Sequence, residues 1–263
     1  MFSLFRYRPL IDPASADWIY QAFDWALIHF DAEEFFSRTR LVQPNNEFFP
    51  GQVDSVHAKA SNIFSHTLKY AGLPHWPFRL LPPEQYQPQP LPDLSLSTIE
   101  RRSDDASLPS LTLLTPLDLS YNPQQTLKPA DLAASYAQWL AQFMMLQSGQ
   151  QPPGGNEYLA EATEVLGVFM GFGVLFANSA YTFRGGCGSC YNAMANRQAA
   201  LSEPEVVFAL ALFCRVKGIS DSEATGHLKK HLRGVYRKAL KQIDREPESL
   251  KALLGKRPIG LPA

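Results

Sequence analysis

The sequence predicts an α+β fold, predominantly helical, in which packed helices cover a small β-sheet. Apolar residues recur at the helical period in two long blocks, one ending at Ala71 and one beginning at Pro129. Between the blocks lie two short β-prone runs, reached through a connection punctuated by proline. At 263 residues the chain is long enough for a sizeable core, and 45% hydrophobic against 19% charged residues is the balance of a folded protein. One domain over residues 1–263 is expected, with no internal repeat.

Trp18, Ala22, Trp25, Ala26 and His29 keep one helical face from Ala14 to Phe30, with Asp12 and Pro13 as its entrance. Thr39 to Val42 is β-prone and reads as a strand before the breakers Gln43, Pro44, Asn45 and Asn46. From Val53 to Ala71 the spacing of Val56, Ala60, Ile63, Phe64, Leu68 and Ala71 gives a second helix, stopped by Gly72 and Pro74. Pro74 to Pro92 holds seven prolines. Proline fixes φ and removes a backbone donor, so a surface connection without regular structure is expected at 74–92. Leu94 to Ile99 and Leu111 to Leu114 read as two strands around the polar turn Arg101 to Ser107. Helices follow at Ala130 to Leu146, Glu157 to Phe183, Pro204 to Val216 and Glu223 to Asp244.

Twenty-four Lys and Arg balance twenty-five Asp and Glu, so no global field draws the chain to nucleic acid or anionic lipid. The three cysteines, Cys187, Cys190 and Cys214, do not make a secreted disulfide framework, and Met1 to Ile11 lacks the pattern of a signal peptide. A cytoplasmic protein is expected. Val165 to Phe183 carries no charge, yet it is interrupted by glycines and by Asn178, Ser179 and Thr182. A span needs about 20 predominantly apolar residues, so this stretch reads as a buried core helix and no membrane is expected.

The helix from Asp131 to Met145 places Gln138 and Gln142 four residues apart, with both amides on one face. An H-E-x-x-H zinc helix uses that spacing: two histidines bind one metal and the glutamate activates its water. The sequence resembles a bacterial family of uncharacterised proteins that carry such a helix. The resemblance rests on Leu41 to Pro50, the helix from Leu132 to Met145, Glu161 to Gly173 with Ala177 and Asn178, and Leu201 to Phe213. It implies a metallopeptidase-like, zincin-like arrangement. It also places the family's H-E-x-x-H on Gln138-Trp139-Leu140-Ala141-Gln142, with glutamine at both histidine positions and tryptophan at the catalytic glutamate. Glu161 matches an acidic position near the family's metal. A carboxamide is a poor zinc ligand and an indole accepts no proton, so the resemblance implies a degenerate, noncatalytic site.

A vestigial site of Gln138, Trp139, Gln142, Glu161 and Glu164 is therefore expected, with Gln138, Gln142 and Glu161 in one polar cluster between two helices. The bland alternative is an ordinary helix whose glutamines face solvent, with Glu157, Glu161 and Glu164 as an acidic helix start that complements the helix dipole. The role expected is binding or scaffolding, with a protein or small-molecule partner and no cofactor. Two rival readings remain. One is a metal or redox protein built on Cys187 and Cys190, whose C-x-x-C spacing suits a dithiol, or zinc completed by His227 and His231. The other is an enzyme centred on Glu161 and Glu164. Cys214 reads as a small buried hydrophobe. Lys229, Lys230, Arg233, Arg237, Lys238 and Lys241 form a basic face on the last of these helices, read as solvated, with nucleic acid not an expected partner.

Overall fold

The computed structural model describes residues 7–90, 92–94, 96, 98–103, 116–180 and 197–261. Helix α1 (Pro13–His29) starts where the Asp12 carboxylate accepts the Ser15 N–H, with Pro13 in the first turn where no donor is needed. Its apolar spacing buries Ile19, Ala22, Phe23 and Ala26. A short helix that the apolar period does not reveal, α2 (Ala32–Ser37), follows at once. Asp31, in the left-handed region at φ 61, turns the chain there and caps the Glu34 N–H at 2.9 Å. Helix α3 (Val56–Ala71) is capped by Ser55 and closes on Gly72.

Two expectations for the strands are corrected. Thr39 to Val42 forms no strand; the Val42 N–H instead donates to the Gly171 carbonyl at 2.9 Å, a helix-side partner. Leu94 to Ile99 carries no strand among the described residues, and Leu111 to Leu114 lies outside them. The sheet consists of β1 (Phe78–Leu80) and β2 (Leu117–Leu119), paired in parallel with Phe78 opposite Leu117. Thus β1 lies inside the proline-rich connection. The prolines flank the ladder rather than interrupt it: Pro77 needs only its carbonyl, which accepts the Leu117 N–H at 2.9 Å.

Helix α4 (Pro129–Ser148) is continuous. The long helix expected from Glu157 is broken into α5 (Leu159–Gly167), a π-helical turn at Val168–Phe172 and α6 (Gly173–Ser179). The break is at Gly171, whose φ of 99 is outside the helical region. Helix α7 (Glu203–Lys217) opens with a capping box between Ser202 and Glu205. The expected helix from Glu223 to Asp244 is two helices, α8 (Asp221–Gly226) and α9 (Lys230–Ile243), and α10 (Pro247–Leu254) follows. Helices α4 and α7 both pack on α6; α3 covers α4, α9 covers α7, and α1 lies against α5. Gly155–Ser179 is, among the described residues, the one helical stretch long and apolar enough to cross a membrane, and it is mostly buried inside the fold. The core includes Phe35 stacked on Phe169 at 4.4 Å, with Phe213 edge-on at 5.6 Å. Cys214 is buried, which pushes its thiol up to about 12.

A polar knot ties residues 99–103 to this core. The fully buried Arg101 donates to the Phe30 carbonyl and the Thr39 hydroxyl, both at 3.2 Å, while its guanidinium faces the Phe169 ring. Nearby, the Lys217 ammonium donates to the carbonyls of Phe35 and Phe36 at the end of α2. Burial, with repulsion from Arg257 and Arg101, pulls Lys217 down to about 8. An unfolded lysine keeps its proton to about pH 10.4, so between about pH 8 and 10 the unfolded chain binds more protons and stability must rise with pH. The wild-type chain is expected to gain stability over Lys217→Met across that window in chemical unfolding. A gap that does not change with pH would refute this.

Candidate functional site

The candidate residues sit on α4 and α5, which pack against each other. Helix α4 carries Gln138 and Trp139 half-buried and Gln142 exposed. Helix α5 places Glu164 fully inside, at 0% exposure, while Glu161 is half-buried one turn earlier. A carboxylate taken wholly out of water must be paired and hydrogen-bonded. Glu164 meets that demand. Its Oε1 accepts from the Arg197 guanidinium and from the Ala200 N–H at 3.0 Å, and its Oε2 accepts the Leu201 N–H at 3.1 Å.

Arg197 is the centre of the arrangement. Besides Glu164, it donates to the Ser179 hydroxyl at 3.0 Å and to Gln138 Oε1 at 3.3 Å, and its guanidinium lies 4.4 Å from the centre of the Phe176 ring. Gln138 in turn donates from Nε2 to the Gln198 carbonyl at 3.2 Å. The cluster therefore joins α4, α5, α6 and the segment leading into α7 through one buried cation. Among the described residues, the hydrogen-bonded charges at its centre are one carboxylate and one guanidinium, which neutralise each other, and a guanidinium offers only donors.

The expected grouping of Gln138, Gln142 and Glu161 is not what the structure shows, and neither glutamine hydrogen-bonds Glu161. Gln142 lines an open groove of about 260 Å3 with Tyr86, Pro90, Leu117, Phe143 and Leu146. Glu161 lines a different cleft, of about 420 Å3, between α1 and the start of α7, with Trp18, Tyr158 and Glu205. There Trp18 and Tyr158 stack at 5.4 Å, and Glu161 Oε2 is buried without a hydrogen-bond partner among the described residues. Three residues apart, Glu161 and Glu164 share one side of α5, and what packs there separates them: Glu164 is buried with its α5 neighbours Ala162, Val165 and Leu166, while Glu161, one turn nearer the helix start, lies beside α1. Trp139 packs at the core edge, tilted against Tyr136 at 5.8 Å.

Cys187 and Cys190 lie outside the described residues. Their proposed companions do not act as an i, i+4 pair, because the chain breaks between Gly226 and Lys230. His227 closes α8 and contacts Asn45 at 3.2 Å, whereas His231, on α9, contacts Glu203 at 3.2 Å. Among the described residues no group of three His, Cys, Asp or Glu side chains is placed to hold a metal ion.

Arg197 is the residue that reading the sequence missed. The signal for it was Glu164 itself, a lone charge set among Ala162, Thr163, Val165 and Leu166 just before the apolar stretch, which requires a buried partner somewhere. Nothing in the spacing says where, since the partner is 33 positions further along the chain. Comparison of the chain with protein-family models, with curated proteins and with solved structures gave no match.

Proposed function

We propose that this chain is a noncatalytic, metallopeptidase-like protein that serves as a binding or scaffolding protein. The observation that carries the reading is the bridge from Gln138 to Glu164 through Arg197. Gln138 is the position at which the family resemblance places a zinc-binding histidine. Its amide oxygen here faces a guanidinium, and the buried acid on the next helix neutralises that guanidinium. A fixed internal cation thus fills the electrostatic role that a bound metal has between two such helices, and it ties the helices together without presenting an open coordination position. Zinc-dependent hydrolysis needs imidazole or carboxylate ligands and a base, and the Gln138 to Gln142 segment supplies neither.

The test is hydrolysis of a mixed peptide substrate by the purified chain with zinc added. No chelator-sensitive turnover is expected. Turnover abolished both by chelator and by Glu161→Ala would overturn the proposal and place an active metal centre on the Glu161 side of α5.

A further inference from the structure

Helix α9 carries Lys230, Arg233, Arg237, Lys238 and Lys241 and no acidic residue. All five are exposed. Lys230, Arg233, Arg237 and Lys241 follow one another at intervals of three or four residues, so they form a single row along about 16 Å of helix. Of the carboxylates beside this helix, Asp221 and Asp244 hold Arg215, while Glu203 faces His231 of α9 itself. Lys230, Lys238 and Lys241 have no ion-pair partner among the described residues. The near-zero net charge of the whole chain conceals this concentration of one sign on one face.

We infer that the outer face of α9 is a docking face for the phosphodiester backbone of a nucleic acid, bound without sequence preference. A regular row of cations is what a chain of phosphates requires, and the interaction needs no base contact. Two other anionic partners fit less well. An anionic bilayer would be entered by an apolar helix face, but Leu232, Tyr236, Ala239 and Ile243 are buried in the core, where α9 packs on α7. A protein partner would be anchored by aromatic or large apolar side chains, and α9 exposes none. The inference is independent of the proposed noncatalytic role, which rests on α4 and α5.

Fluorescence anisotropy of the full chain with labelled single-stranded and duplex oligonucleotides tests it, with phosphatidylserine vesicles and polyglutamate as competing anions. Neutralising four phosphates predicts an affinity that falls by about 100-fold between about 50 and 200 mM salt. The variant Lys230→Gln/Arg237→Gln/Lys238→Gln/Lys241→Gln is expected to bind at least about 10-fold more weakly at the lower salt concentration, with an unchanged melting transition. Arg233 is left intact because it donates to the carbonyls of Gly226 and Leu228. No binding at low salt, a flat salt dependence in the wild-type chain, equal binding by the fourfold variant, or a preference for vesicles or polyglutamate would each overturn the inference.

Discussion

Glu164→Ala is expected to lower the unfolding free energy by about 3–5 kcal/mol, the usual consequence of removing one partner from a buried ion pair. The variant leaves the Arg197 guanidinium, almost wholly buried, facing a hole where its counter-charge was. It also orphans the N–H groups of Ala200 and Leu201 just before α7. Natural domains are stable by only about 5–15 kcal/mol, so the loss is a large share of the total. The loss comes mainly from the stranded charge, so the pair itself contributes less than the single variant suggests. Glu164→Leu/Arg197→Met should therefore recover much of the loss, since well-packed apolar replacements of buried pairs are often neutral. Gln138→Ala, which removes one 3.3 Å contact to the guanidinium, should cost only about 1–2 kcal/mol. Denaturant unfolding of the three variants measures these terms. If Glu164→Ala costs less than about 1 kcal/mol, water reaches the pair and the cluster does not hold the helices together.

What could be read in advance follows from how local each signal is. The faces of α1, α3, α4 and α7 were legible because burial of one helix face repeats every three or four residues and leaves its period in the sequence. The strands were not. Phe78–Leu80 and Leu117–Leu119 are three residues each, too short for an alternation to register, and their pairing joins segments far apart in the chain. The break between α8 and α9 was hidden because Leu228 and Leu232 keep the apolar spacing through it, while Ser220 caps α8 from outside the expected helix.

The same distinction holds for the site. Gln138, Glu161 and Glu164 were identifiable as polar residues on two long helices, but which of them face one another depends on helix rotation and on a residue far along the chain. A helical wheel gives neighbours on one helix only. It places Glu161 and Glu164 close together, whereas packing sends one to Arg197 and the other to a cleft beside α1. The basic row on α9 was legible because its members share one helix, although Lys229, expected among them, stands at the N-cap outside it.

Gly171→Ala should be at least as damaging as the loss of a core side chain, although it adds only one methyl group. At φ 99 the backbone lies where an L side chain meets its own carbonyl, which costs about 1–2 kcal/mol for residues other than glycine. A Cβ there would also stand 2.1 Å from the Arg40 carbonyl oxygen, a backbone atom that cannot rotate away. Relieving that clash moves residues 40–42 off the π turn and breaks the bond from Val42 N–H to the Gly171 carbonyl, and an unsatisfied buried amide costs about 1–3 kcal/mol more. Thr39 is next in line, and with it the hydroxyl that accepts from Arg101. The sum is about 3 kcal/mol or more. Gly149→Ala separates the two causes, because Gly149 has a φ of 63 with nothing within 4 Å of its would-be Cβ, so only the backbone cost of about 1–2 kcal/mol remains. Thermal or denaturant unfolding of both variants, with amide exchange at Val42 as the local readout, decides the matter. Equal losses, with Val42 protection retained in Gly171→Ala, would mean that residues 40–42 do not press on the π turn and that the break in the central helix has another cause.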